Sequence, residues 1–215
     1  TVVIGFDYRG FADSTGSPSE EGLARDSDAV LAFAAKLAPN ARIILYGQSL
    51  GSAVASRLAA ASSSKEQQRV DAVVLDATFP SVTHAALTYP FVRPLATLLR
   101  CFGLLDSALR AMPDAFETGA PRIPPRVPLL FVHKDRDEIV PVDLGREVYQ
   151  AATEARSSST EDHYTRFLQI DGTTKIMRRH HVDAFTSPEW KAAIQHLFLH
   201  VDHSSCCSSC GLKVA

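Results

Sequence analysis

This 215-residue chain is short of net charge, of cysteine and of unbroken apolar stretches. Lys and Arg number 22 against 24 Asp and Glu, a balance of -2 that gives no footprint for nucleic acid or for an acidic partner. The greasiest region, residues 91–105, is interrupted by Arg93, Pro94 and Arg100, so nothing reaches the roughly 20 residues of a membrane-spanning helix. Four cysteines do not make a disulfide framework: Cys101 stands alone, and Cys206, Cys207 and Cys210 crowd the end as reduced thiols. His203 with Cys207 and Cys210 only loosely matches metal-ligand spacing, and neither a metal nor a diffusible cofactor is expected. The start lacks the basic flank of a signal peptide, and it opens inside an apolar run. It reads as the middle of a fold, a fragment entering within a strand. With 46% hydrophobic and 21% charged residues, the composition suits one globular domain.

What the chain does contain centres on Gly47-Gln48-Ser49-Leu50-Gly51. Residues 42–46 form a short β-branched run and residues 52–58 a helical one, so the serine falls where a buried strand turns into a helix. On such a turn the hydroxyl is lifted at the carboxyl edge of a sheet, and the glycines leave room that a Cβ would fill. The new helix N-terminus favours negative charge developing beside the serine. The bare spacing arises by chance in about a few per cent of domains this size; its place between strand and helix makes it far more specific.

The rest of the chain alternates. Residues 2–6 read as a buried strand meeting a loop at Asp7-Tyr8-Arg9-Gly10. Ser19-Glu20-Glu21 starts a helix whose face carries Leu23, Val30, Ala34 and Leu37. Further buried strands are predicted at 70–75 and 129–133 and another strand at 166–170, with helices over 141–153 and from Ser187-Pro188-Glu189 onward, where Trp190, Ile194, Leu197 and Val201 share a face. That order implies βαβ units in an α/β domain with a mostly parallel sheet over residues 1–203, followed by a flexible Cys/Ser tail at 204–215. Residues 79–125 depart from the alternation. Leu95, Leu98, Leu99, Phe102, Leu105 and Leu109 fall there at helical spacing, the pattern of a helical lid whose apolar face would meet a hydrocarbon chain.

A serine hydroxyl becomes a useful nucleophile only when a base takes its proton and a carboxylate orients that base. The acid is expected just after a strand downstream of the elbow. Asp135, Asp137 and Glu138 follow the 129–133 run; Asp137, at the inner bend before Ile139-Val140-Pro141, is preferred over Asp135, with Asp76 an outside alternative. The base is expected on the loop after the last strand, where His180 and His181 are adjacent and only one can face the serine. The other histidines, His133 among them, read as surface or helix residues.

These blocks together resemble the α/β-hydrolase serine hydrolases of lipase type, nearest the α/β-hydrolase domain-containing monoacylglycerol and lysophospholipid lipases. The likeness runs from Thr1 to about His200, through Asp7-Tyr8-Arg9-Gly10, the elbow, residues 74–79, Tyr89-Pro90-Phe91, and residues 137–141 with Leu144-Gly145-Arg146. It implies Ser49 as nucleophile, Asp137 as acid and His181 as base, since an Asp closely follows that histidine, as in the family. His180 stands where the family has glycine. The resemblance also implies an acyl-serine intermediate and a lipid ester substrate, such as a monoacylglycerol or lysophospholipid. Membrane association would come through a segment outside this sequence, with the endoplasmic reticulum as location. The family's first strands and its His-Gly loop, one source of oxyanion donors, precede the Asp-Tyr-Arg-Gly block and are absent from this sequence, leaving the Leu50 amide as donor and a sheet edge open. Two other readings follow from the same residues: a non-catalytic remnant of the fold, or a peptidase or thioesterase on the same scaffold.

Overall fold

A computed structural model describes residues 2–62, 69–88, 94, 97–98, 101–102, 116–159, 163–171 and 187–210, side chains of 202–210 excepted. Four parallel strands form one sheet in sequential order: β1 (Ile44–Gln48), β2 (Ala72–Asp76), β3 (Leu129–Lys134) and β4 (Thr165–Ile170). Register runs Tyr46 to Val74, Leu75 to Phe131 and Phe131 to Phe167. Parallel strands need crossovers, and helices α1 (Glu20–Leu37), α2 (Leu50–Ser62), α3 (Val82–Leu87), α4 (Val142–Ser157) and α5 (Pro188–Cys210) flank or join them.

Side chains alternate across the sheet, so each face builds its own core. Val73, Leu75, Leu129 and Phe131 pack with Ala55 and Ala59 of α2 and Val148 and Ala152 of α4. Ala72, Val74, Leu130 and Val132 meet Leu197 and Val201 of α5 on the other face. Every residue of β2 and β3 is buried, as the near-continuous apolar runs at 70–75 and 129–133 require. Each fully buried Leu or Phe contributes about 1.5–3 kcal/mol by leaving water. Arg156, at the end of α4, is fully buried too. Its Nη2 donates to the carbonyls of Pro124 (2.7 Å) and Val127 and its Nη1 to Thr165 Oγ1 (2.6 Å), tying the approach to β3 onto the start of β4. Burial pulls its pKa down to about 10, which leaves it charged at neutral pH.

Helix boundaries follow local chemistry. Ser19 caps α1 by accepting from the Gly22 amide at 3.1 Å, and Ser187 caps α5 by accepting from the Trp190 amide at 3.0 Å. The α5 backbone is helical to Cys210.

The strand expected at residues 2–6 does not form. Val2 and Val3 are 78% and 88% exposed, and the segment joins no ladder. An apolar run becomes a strand only where a partner edge lies within hydrogen-bond reach and a layer covers it. Here an apolar groove of about 790 Å³ is lined by Ile4 and Phe6, by Val30 and Leu31 of α1, by Leu45 of β1 and by Leu58 of α2. Among the described residues β1 is accordingly an edge strand, only partly buried where β2 and β3 are wholly so.

Candidate active site

The turn between β1 and α2 carries Ser49 in the left-handed region, with φ of 53°, a conformation that costs a non-glycine residue of order 1–3 kcal/mol. The surroundings hold it there. The Ser49 amide donates to the Asp76 carbonyl at the end of β2 (2.9 Å), and the Ser49 carbonyl accepts from the Ser52 amide (2.8 Å) and the Ser52 hydroxyl (2.6 Å). The Ser52 hydroxyl also meets Thr78 Oγ1 at 3.0 Å, on a loop turned by Ala77 with φ of 49°. Ser49 is half-buried, and Leu50 begins α2, so its amide belongs to the helix turn that lacks intrahelical acceptors.

The two glycines of the motif are not equivalent. A Cβ on Gly47 would lie 2.2 Å from the Gly51 carbonyl oxygen and 2.8 Å from the Ala55 Cβ. On Gly51 it would meet only Tyr8 Oη, at 3.6 Å. Glycine at 47 is thus demanded by the backbone of α2 folding over it, whereas the side of Gly51 faces the groove.

Of the three carboxylates after β3, Asp137 is buried, Asp135 half-buried and Glu138 exposed. Asp137 Oδ1 accepts from the amides of Ile139 and Val140, both at 2.9 Å, which closes the bend and orients the carboxylate. His133, expected on the surface, is instead fully buried: β3 alternation points it at α4, where Gly145 leaves it room. Its Nε2 lies 2.8 Å from the Val140 carbonyl and 3.8 Å from Asp137 Oδ2, bracing the same bend. Asp76 is also buried, at the end of β2. Its Oδ2 accepts from the Tyr46 hydroxyl (2.7 Å) and from Gln48 Nε2 (3.3 Å), a cross-strand cluster. Burial first, and then the Asp76 charge, push the Tyr46 phenol pKa up.

His180 and His181 lie outside the described residues. β4 ends at Ile170, on the same carboxyl edge as Ser49, and α5 begins at Pro188, whose neighbour Trp190 stacks edge-on to Tyr46 with ring centroids 6.4 Å apart. Leu95, Leu99, Leu105 and Leu109 of the expected lid also fall outside; Leu98 and Phe102 are exposed. Among the described residues no group of His, Cys, Asp or Glu could hold a metal ion, and no helix is long and apolar enough to cross a membrane.

Motif reading passed over Ser52, Thr78, Tyr46 and His133. Ser52 had a local signal, a serine in the first helical turn that can bond back to the carbonyl three residues earlier. The other three are recruited across strands and carry none.

Residues 2–97 match the family described as alpha/beta hydrolase fold. The chain is 34% identical to human Protein ABHD12B over 160 residues, 71% of this chain and 42% of that protein. It is 28% identical to the Lysophosphatidylserine lipase ABHD12 of Xenopus tropicalis over 197 residues, 90% of this chain and 48% of that one. The chain therefore spans under half the length of these curated relatives. Among solved structures, a thermostable carboxyl esterase from Bacillus coagulans aligns with a TM-score of 0.53 at 14% identity, covering 86% of this chain and 74% of that one. An esterase from Pyrococcus furiosus aligns at 0.52 and 18% identity, over 90% and 68%. At such identities these two similarities speak for the fold.

Proposed function

Because this chain has the α/β-hydrolase fold, we propose that it serves as a serine hydrolase of carboxylic esters. The observation that carries the reading is Ser49, held half-exposed in a left-handed turn between β1 and α2. His181 takes the hydroxyl proton as Ser49 Oγ attacks the ester carbonyl, and Asp137, its carboxylate aimed by the Ile139 and Val140 amides, keeps the imidazole in the productive tautomer. The Leu50 amide donates to the oxyanion. The alcohol leaves with the proton from His181, an acyl-serine remains, and water activated by the same imidazole releases the acid.

The lipase names of relatives and the apolar spacing at residues 95–109 support a lipid ester as substrate, a monoacylglycerol or a lysophospholipid. Association with a membrane, that of the endoplasmic reticulum, is part of the same proposal. A fluorophosphonate probe tests the assignment: it should label the protein at Ser49, and Ser49→Ala should abolish both labelling and hydrolysis of short acyl esters. Undiminished labelling of the alanine variant would overturn it.

A further inference from the structure

Val140 is gripped through both of its backbone groups, and the grips come from Asp137 and His133. Its amide donates to Asp137 Oδ1 at 2.9 Å, as does the amide of Ile139. Its carbonyl lies 2.8 Å from His133 Nε2. A carbonyl can only accept, so that ring nitrogen carries the proton and donates. The same nitrogen lies 3.8 Å from Asp137 Oδ2. The two side chains are 0% and 1% exposed, a setting in which such contacts are stronger than in water.

These contacts form a hierarchy. His133 belongs to β3, which is paired on both sides, to β2 and to β4, and it is as fixed as the sheet. Residues 135–141 cross from β3 to α4. The bend is fastened to the sheet by the Asp135 amide, which donates to the Ile170 carbonyl at 3.1 Å, and by the imidazole. Through Val140 the imidazole sets where the two amides point, and the amides set where the carboxylate points. The space for the ring is specified as well: a Cβ on Gly145 of α4 would lie 2.2 Å from His133 Nδ1. Glycine is a poor helix former, and its place inside α4 is matched by the room it leaves for the imidazole.

Resting on the reading of Ser49 as nucleophile and Asp137 as acid, we propose that His133 is a positioning residue for that acid. It holds the carboxylate at the orientation from which Asp137 steadies the base. The ring keeps its proton on Nε2 and exchanges none with substrate, so the proton balance of ester cleavage is unchanged. A reacting group displaced by about 1 Å loses about 10²-fold in rate, and substrate binding need not weaken with it.

The test compares His133→Leu, which removes the donor, with His133→Gln, whose side-chain amide can reach the Val140 carbonyl. Turnover of a p-nitrophenyl ester is expressed per site titrated to completion with fluorophosphonate, so only folded protein is counted. For His133→Leu, kcat should fall about a hundredfold while KM stays within about twofold, and His133→Gln should recover most of the loss. Gly145→Ala favours the helix and should nonetheless reproduce the kcat loss, because it displaces the ring. Should His133→Leu fail to fold, Gly145→Ala carries the comparison. Since His133 acts through Asp137, either change should cost less than about threefold in an Asp137→Asn background. Losses that multiply in the double variant, an unchanged kcat per titrated site, or a Gln variant no better than Leu overturn the positioning role and leave the hydrolase reading standing. A wild-type protein that is neither labelled nor active overturns both.

Discussion

Gly47→Ala perturbs the proposed site through one methyl group. The added Cβ would lie 2.2 Å from the Gly51 oxygen, 2.6 Å from the Gly51 carbonyl carbon and 2.8 Å from the Ala55 Cβ. Favourable non-bonded contacts begin near 3.5 Å, so α2 must retreat from β1 by about 1 Å. The obstacle is helix backbone, which cannot swing aside as a side-chain tip would. Overpacking of this kind costs about 1–3 kcal/mol. For a domain of this size, each 1 kcal/mol lowers the unfolding midpoint by about 2–4 °C, so a drop of about 2–12 °C is expected. Ser49 sits on the turn that must open, and a 1 Å misplacement of a reacting group is worth about 10²-fold in rate. Calorimetry and steady-state ester hydrolysis read the two effects. Gly51→Ala is the internal control: its Cβ meets only Tyr8 Oη at 3.6 Å, and its midpoint should stay within about 3 °C of the parent. A Gly47→Ala protein as stable as the parent, or a Gly51→Ala protein equally damaged, would refute the crowding argument.

Arg156→Leu should cost about 3 kcal/mol or more, because it strands the buried Val127 carbonyl together with the Pro124 carbonyl and the Thr165 hydroxyl; urea unfolding measures it, and a loss under about 1 kcal/mol would show that those groups find other partners. Hydrogen bonds from Arg9 hold the Asp26 carboxyl below its ordinary pKa, so its contribution is complete above the unfolded-state value near ~4 and is lost as pH falls through the lower folded value. The midpoint difference between wild type and Asp26→Asn should therefore be flat above about pH 5 and shrink on acidification below about pH 4; a difference that grows on acidification contradicts the pairing.

Motif spacing alone located the elbow and the sequence order of the strands it depends on, because each is encoded within a few neighbouring residues. The apolar runs at 70–75 and 129–133 match β2 and β3 because both faces of those strands are covered, and burial on two faces leaves an unambiguous composition. Caps at Ser19 and Ser187 are equally local, each a side chain reaching amides three residues on. Residues 2–6 have the same composition as those strands and yet form none. Pairing is a property of two segments, and one segment's composition carries no information about the other's distance.

The chain by itself therefore determined the parallel α/β class, the position of Ser49 and the carboxylates from which an acid could come. Only the assembled molecule decided that Asp137 is the buried one of the three carboxylates after β3, that His133 braces its bend, that Gly47 and not Gly51 is sterically required, and that the Tyr8 hydroxyl stands beside α2. Each of those outcomes depends on atoms far apart along the polymer meeting at a few ångströms. Local propensity constrains φ and ψ one residue at a time; contact between strands and helices exists only once the sheet has closed around its core.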